Sequence, residues 1–224
     1  FMFLGPVLLD PVFNRFTPLP DGEMRAAVLD LARRAGVDVG EVYEVDASRR
    51  TTGANAYVTG LGATKRVVLY DTLLRDFTPA QTRLVVAHEL AHVRHRDVPM
   101  AMLFLALVAP VAMLALARIA EPLTPPGATP VPAAGLGFAA IGPPLMVVAN
   151  QLSRAIERRA DEFALRLTDE PDAAISLEQR LAVQNVADPA PPRWQNVLLA
   201  THPPTVERIG QALAFRSRRS PAAA

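Results

Sequence analysis

The chain of 224 residues is half hydrophobic but only 6% aromatic, and its mean hydropathy is positive. This balance exceeds that of an average soluble domain and favours a membrane protein. A formal net charge of +1 gives no argument for nucleic acid as a partner, and the absence of cysteine excludes disulfide bonds.

The first residues are typical of the end of a membrane helix. The chain begins at Phe1 without an initiator methionine, and residues 1–9 are apolar but too few to cross a bilayer. The basic start and the cleavage site of a signal peptide are also missing. We therefore expect residues 1–14 to be the end of a truncated transmembrane helix.

The next segment combines a helix with strand-like runs. Apolar residues at helical spacing predict a helix that is opened by Asp21 and closed by Gly36. Strand-like runs follow at 42–45, 56–59 and 66–70, with glycines between the last two. We expect a small antiparallel sheet, and an edge strand of such a sheet can hold an extended peptide.

Two histidines with a glutamate between them form the most specific pattern in the chain. His88 and His92 are four residues apart, so on a helix both can reach one metal ion from the same face. Glu89 points to the flank, where a metal-bound water would lie. Thr78 and Gln81 form a capping box that predicts the start of this helix. The pattern is typical of a zinc-dependent peptidase.

The alternative is a surface helix that carries two histidines by chance. Three fixed positions of uncommon residue types rarely coincide, and half of the chain's four histidines lie here. His95 is on the same face but about 4.5 Å further along the axis than His92, too far from a metal between the first pair. We interpret His95 as a solvated residue or as one that faces lipid headgroups.

A zinc site needs a third protein ligand, and without cysteine this must be His, Asp or Glu. The predicted helix 150–168 carries Glu157 and Asp161 four residues apart, which fits a zinc ligand followed by an acceptor for the free N–H of a ligand histidine. The alternative is an ordinary charged face, because three arginines are close by in the sequence. The residues alone favour that alternative.

Two uncharged stretches predict a transmembrane hairpin. Residues 98–117 carry no charge, and 131–149 form the apolar part of a second uncharged run. A Pro-rich turn at 122–130 joins them. Buried core helices of a soluble protein are the alternative, but neither stretch shows a polar face. Arginines flank the outer ends of both stretches, so these ends are expected in the cytoplasm.

The last part of the chain carries one more candidate. A helix is predicted around residues 175–186, followed by a Pro-rich break and a final helix from Thr205 to Phe215. His202 lies just before the final helix, where it can cap that helix or lean into a cleft. The tail from 216 to 224 is expected to be disordered.

Four stretches together resemble the type I CAAX prenyl protease family and its relatives, the bacterial heat-shock membrane metalloproteases. They are Asn55-Ala56-Tyr57 with Gly60-Leu61-Gly62 and Thr64-Lys65-Arg66; His88 to His92; Ser153-Arg154 through Glu157 to Ala160-Asp161; and His202-Pro203-Pro204. The resemblance implies that Glu157 is the third zinc ligand and that His202 donates a hydrogen bond to the developing oxyanion. It also implies a substrate strand beside Asn55 and Ala56, whereas the residues alone favour an Asn55 that only turns the chain between strands.

The predicted function is that of a membrane-embedded metalloendopeptidase with one zinc ion per chain, in which Glu89 activates a zinc-bound water. The prenyl protease branch implies cleavage near an isoprenylated C-terminal cysteine, whereas the heat-shock branch implies degradation of damaged membrane proteins. A membrane sensor with structural zinc is a third hypothesis, although structural zinc normally has four protein ligands. The expected partners are a peptide or membrane-protein substrate and the lipid bilayer; the oligomeric state is not readable.

The expected architecture is mainly α with a small antiparallel β-sheet, in which a two-helix transmembrane hairpin interrupts a zincin-type metalloprotease domain. The first part of that domain would occupy 15–97, the hairpin 98–150 and the second part 151–215. We expect an integral membrane protein of a bacterial-type inner membrane, with its catalytic domain facing the cytoplasm.

Overall fold

A computed structural model describes residues 14–60 and 62–219 of the chain. The strands are β1 (Phe16–Pro18), β2 (Glu41–Val45), β3 (Ala56–Thr59) and β4 (Arg66–Tyr70). The helices are α1 (Glu23–Ala35), α2 (Asp71–Asp76), α3 (Pro79–Arg94), α4 (Asp97–Leu123), α5 (Val131–Thr168), α6 (Pro171–Gln184), α7 (Arg193–Leu198) and α8 (Thr205–Arg219). The predicted membrane-helix end at 1–14 lies outside the described residues, apart from Asn14.

The chain divides into two compact units. The first, here the sheet unit, comprises the chain up to His95, the segment Arg158–Ala190 and the chain from Pro204. The second, here the hairpin unit, comprises Arg96–Glu157 and Pro191–Pro203. The hairpin unit is therefore larger than the expected hairpin at 98–150, because the segment that contains α7 packs with it.

The sheet unit contains a four-stranded mixed sheet in the order β1-β2-β4-β3. The predicted strands are present, but the expectation of a purely antiparallel sheet is wrong, because β2 and β4 run parallel, with Tyr43 opposite Val68. The physical reason is that β3 and β4 form an antiparallel pair with β3 on the outside, so the chain reverses twice between β2 and β4. Strand β3 is consequently an edge of the sheet.

The core of the sheet unit is built from apolar residues of the sheet and of helices α1 and α3. Val28 of α1, Leu69 of β4 and Leu90 of α3 are all completely buried. Helix α1 ends as predicted, at Gly36 in the left-handed conformation with φ of 69°. Its N-cap is Gly22 rather than Asp21, whose carboxylate instead accepts a hydrogen bond of 3.1 Å from Arg25.

The hairpin unit contains α4 and most of α5. Among the described residues these two helices are long and apolar enough to cross a membrane. None of the most apolar part of α4 is buried, and only 11% of that of α5, which argues against the core helices of a soluble protein. The second predicted span at 131–149 and the predicted ligand helix at 150–168 form one continuous helix of 38 residues.

The C-terminal helix is longer than expected. Helix α8 continues to Arg219, so the prediction of disorder from residue 216 is wrong for 216–219, whereas 220–224 lie outside the described residues. Arg216 donates to Asp172 at 2.6 Å, and Arg219 pairs with Asp169. These ion pairs, together with the favourable position of cations in the last turn of a helix, explain the added turn.

Candidate metal centre

Helix α3 presents the two histidines, and its start is fixed by the predicted capping box. The Thr78 hydroxyl accepts from the Gln81 N–H at 3.3 Å, and the Thr78 N–H donates to the Gln81 side chain at 3.0 Å. The apolar side of the helix packs into the core through Val86, Leu90 and other buried residues. The partly exposed His88 and His92 remain on the other side.

The two imidazoles face each other through the nitrogens that would bind a metal. Nε2 of His88 lies 3.1 Å from Nε2 of His92. Two ligand nitrogens at about 2.0–2.1 Å from a tetrahedral zinc ion would be about 3.3 Å apart, so the observed separation fits one shared ion. The sequence pattern predicted this convergence.

Asp161 contacts the other nitrogen of His88. Its Oδ1 lies 2.9 Å from His88 Nδ1, and a carboxylate can only accept, so Nδ1 carries the proton and Nε2 carries the lone pair. Arg208 donates from Nε to Asp161 Oδ2 at 2.7 Å. Burial opposes ionisation of Asp161, but the hydrogen bonds from His88 and Arg208 outweigh it and lower the pKa of Asp161 to about 2. The carboxylate is therefore ionised at neutral pH.

A further carboxylate lies behind this group. Glu178 of α6 is buried and pairs with Arg208 at 2.9 Å. Burial raises the pKa of Glu178, an effect that the positive charge of Arg208 only partly offsets. The sequence did not single out Arg208 or Glu178, because neither belongs to a spaced motif and their partners are far away in the chain. The burial of Glu178 and its pairing with Arg208 are visible only in the fold.

Glu157 completes a group of three possible metal ligands. His88, His92 and Glu157 each offer one ligand atom, and these atoms all lie within 4.8 Å of one another. Two imidazoles and one carboxylate leave the fourth tetrahedral position open, as in catalytic zinc sites. The donor set therefore fits zinc.

The remaining predicted site residues lie as follows. His202 is exposed, its Nε2 lies 3.5 Å from Glu157 Oε2, and its Nδ1 lies 2.9 Å from the Thr201 hydroxyl. Glu89 follows His88 on α3 and is partly exposed. Asn55 is exposed directly before β3, and Ala56 is the buried first residue of that strand.

His95 is not the solvated residue that its sequence position suggested. Its ring packs edge-on against Phe163, with 5.4 Å between the ring centroids, and its Nδ1 is buried without a hydrogen-bond partner among the described residues. The reason is that α3 ends at Arg94, so His95 follows the helix as its C-cap and contacts α5. It takes no part in the group of possible metal ligands.

Comparison with known proteins identifies the group to which this site belongs. Residues 18–215 match the sequence profile of peptidase family M48. The chain belongs to peptidase family M48. The predicted resemblance to CAAX prenyl proteases is confirmed, and the M48 family implies a bound metal, typically zinc.

Two relatives show which M48 proteins this chain is similar to. It is 31% identical over 221 residues to the uncharacterized metalloprotease YhfN of Bacillus subtilis, covering 94% of this chain and 52% of that protein. It is 32% identical over 222 residues to the CAAX prenyl protease 1 homolog of Arabidopsis thaliana, covering 93% and 51%. The chain thus spans about half the length of these relatives.

A solved structure shares the M48 fold of this chain. The crystal structure of Ste24p from S. mikatae superposes with a TM-score of 0.81, covering 94% of this chain and 55% of that chain at 24% sequence identity. This likeness confirms the predicted fold class, a mainly helical protein with a small sheet and two apolar helices.

Proposed function

We propose that the chain is the catalytic part of a membrane-embedded zinc metalloendopeptidase. The observation that carries this proposal is the convergence of the ligand atoms of His88, His92 and Glu157, with Asp161 behind His88. A site that used zinc only for structure would normally supply four protein ligands. Three ligands support hydrolysis over a sensor with structural zinc.

The residues of the site would divide the reaction between them. His88, His92 and Glu157 would hold zinc, which would supply the Lewis acidity that polarises a carbonyl and makes water a nucleophile near neutral pH. Glu89 accepts the proton of the attacking water and delivers it to the leaving amine. Asp161 keeps the proton of His88 on Nδ1, so that Nε2 stays available as a ligand.

His202 would stabilise the developing negative charge. If the Thr201 hydroxyl donates to His202 Nδ1, the neutral ring carries its proton on Nε2. That N–H lies beside Glu157, from which it can turn to a substrate oxyanion. A donor of this kind contributes about 2.7–4 kcal/mol in comparable sites.

Strand β3 would bind the substrate as an added strand. Tyr70 donates to the Asn55 carbonyl at 3.0 Å, so in this antiparallel pair the main-chain groups of Asn55 and Tyr57 point to β4. The main-chain groups of Ala56 and Val58 then point to the outer edge. The Asn55 side chain accepts from the Ala56 N–H at 2.9 Å and would have to release it for a peptide.

The substrate class is proposed from the relatives. Those from Arabidopsis and rice are named CAAX prenyl protease 1 homologs, which supports cleavage near an isoprenylated C-terminal cysteine. The second candidate is degradation of membrane proteins, favoured by a β3 edge that recognises main chain rather than particular side chains. Cleavage of a farnesylated peptide and of its unmodified twin should be compared. Equal rates would reject the first candidate.

The location is proposed from the charges that flank the hairpin. Arg94 and Arg96 precede α4, and arginines at 154, 158 and 159 follow the apolar part of α5, whereas Arg118 and Glu121 near the connecting turn offset each other. This asymmetry supports cytoplasmic ends and a catalytic side that faces the cytoplasm of a bacterial-type inner membrane. Accessibility of single cysteines placed at each end to an impermeant reagent tests this orientation.

Two matched variants test the catalytic proposal. Glu89→Gln should lower peptide cleavage by about 10²–10⁴-fold and leave the zinc content at one per chain, because it removes only the proton acceptor. Glu157→Gln should lose zinc as well as activity. Glu162→Gln is the control, since Glu162 lies on the same helix and pairs with exposed Arg166. Normal cleavage by Glu89→Gln would refute the mechanism.

A further inference from the structure

Helix α7 exposes an apolar face. Trp194, Val197 and Leu198 lie at positions i, i+3 and i+4, which share one side of a helix, and all three are exposed, Trp194 to 62%. Leu199, the C-cap residue, is exposed as well. A helix of six residues would not hold such a face in water by itself, because short isolated helices are marginal.

Contacts from α5 fix α7 within the hairpin unit. Asn150 donates to the Leu198 carbonyl at 2.8 Å. Arg154, only 2% exposed, donates to the Val197 carbonyl at 3.2 Å and also to the Ala200 carbonyl. These bonds satisfy carbonyls at the C-terminal end of α7, which would otherwise lack partners, and they leave its apolar side chains outside.

The position of these contacts along α5 determines the depth of α7 relative to the proposed bilayer. The apolar run of α5 extends over residues 131–149, about 27 Å of helix at 1.5 Å per residue, which is close to the thickness of a hydrocarbon core. Asn150 is the next residue. In the proposed embedding, its bond to Leu198 attaches α7 where the membrane-facing surface ends and the headgroup region begins.

The composition of α7 suits a position in the headgroup region. Tryptophan is enriched at membrane interfaces, where its ring lies among the acyl chains while its N–H stays with polar groups. Arg193 and Gln195, both exposed, offer polar groups beside the apolar face. Short amphipathic helices with tryptophan on one face and arginine near it lie in the interface plane.

We propose that α7 is an interfacial anchor whose Trp194, Val197 and Leu198 enter the lipid bilayer at the headgroup boundary. The inference rests on the proposed membrane embedding of the hairpin, but not on proteolysis. Its occupant is the lipid surface, because the face belongs to the same compact unit as the exposed apolar helices α4 and α5.

The chain's single tryptophan makes a direct test possible. The full chain is reconstituted into phosphatidylcholine vesicles that contain lipids brominated either near the headgroup or deep in the acyl chain. Trp194 fluorescence should shift to shorter wavelength relative to the denatured chain. Shallow bromines should remove more of the emission than deep bromines, and aqueous iodide should remove little.

Two reporter variants in a Trp194→Phe background provide the controls. Leu103→Trp on α4 should be quenched by deep bromines, and Arg33→Trp on the solvated side of α1 should be quenched by iodide alone. If Trp194 behaves like Arg33→Trp while Leu103→Trp is quenched by lipid, α7 lies in water and the inference is overturned. Shielding of Trp194 from both quenchers also overturns it, because another protein surface then covers α7. Loss of lipid quenching at Leu103→Trp refutes the embedding itself and this inference with it.

Discussion

The sheet unit and the hairpin unit differ in the burial of their apolar side chains. In the sheet unit, residues such as Val67, Val86 and Leu90 are completely buried. In the hairpin unit, Leu107 is 65% exposed and Phe138 70% exposed. Since exposed apolar patches of this size are rare on soluble monomers, the difference supports the proposal that lipid surrounds the hairpin unit and water the sheet unit.

Buried polar groups differ between the units as well. In the sheet unit, Asp161 and Glu178 are charge partners of Arg208, and the whole group stands behind a histidine. In the hairpin unit, Arg154 is buried against main-chain carbonyls of the segment that leads to His202. One unit thus orients a possible metal ligand through carboxylates, whereas the other holds a loop through its backbone.

The comparison predicts that the same leucine truncation will destabilise the sheet unit strongly and the hairpin unit hardly at all. Leu69→Ala in β4 should lower the free energy of unfolding of the sheet unit by about 2–5 kcal/mol, because it opens a cavity in a packed core. Leu107→Ala in α4 should change stability by less than about 0.5 kcal/mol, because lipid is as apolar as the lost side chain. Hydrogen exchange of amides in β4 and α4, in detergent micelles, measures both.

A large loss at Leu107 would contradict the assignment of its environment. It would mean that α4 packs that residue against protein rather than against lipid. Leu105→Ala, at a similarly exposed neighbouring position, separates a local effect from a general one.

The parts of the molecule that were predictable are those that depend on local spacing. The capping box at Thr78 requires only residues three apart, and the metal face of α3 requires only residues four apart. The hairpin follows from uninterrupted apolar runs. Proline in a helix interior usually kinks or breaks the helix. The helices of the hairpin are nevertheless continuous through prolines such as Pro110.

The parts that were missed depend on contacts between distant segments. The parallel pairing of β2 and β4 depends on where β3 pairs in the sheet. The local sequence of the strands does not predict that position. Arg208 and Glu178 meet Asp161 only because α5, α6 and α8 pack together. Helix α7 has only six residues and directly follows a Pro-rich break, so its apolar spacing is too short to predict a helix. Its bonds to Asn150 and Arg154 span more than forty residues.

The second prediction concerns the carboxylate that stands behind the metal face. Asp161→Asn should lower zinc affinity about 10–100-fold, because the amide no longer fixes the proton of His88 on Nδ1 as a carboxylate does. Competition with a chromophoric chelator measures this without any substrate. Asp172→Asn is the matched control, since Asp172 is exposed and pairs with Arg216 at the surface. Unchanged affinity in Asp161→Asn would show that His88 is oriented by other contacts.

The smallest predicted effect compares the starts of two consecutive helices. Helix α3 begins with the capping box of Thr78, whereas α4 begins after Arg96, which has φ of 57° and no side-chain cap hydrogen bond. Thr78→Ala should destabilise the first turn of α3 by about 1 kcal/mol, because it leaves a helical N–H without its acceptor. Arg96→Gly should be neutral or slightly stabilising, since glycine adopts the left-handed conformation without strain. Hydrogen exchange of the first-turn amides measures each change, and a larger loss at Arg96 than at Thr78 would mean that the arginine side chain, rather than the backbone, anchors the start of the hairpin.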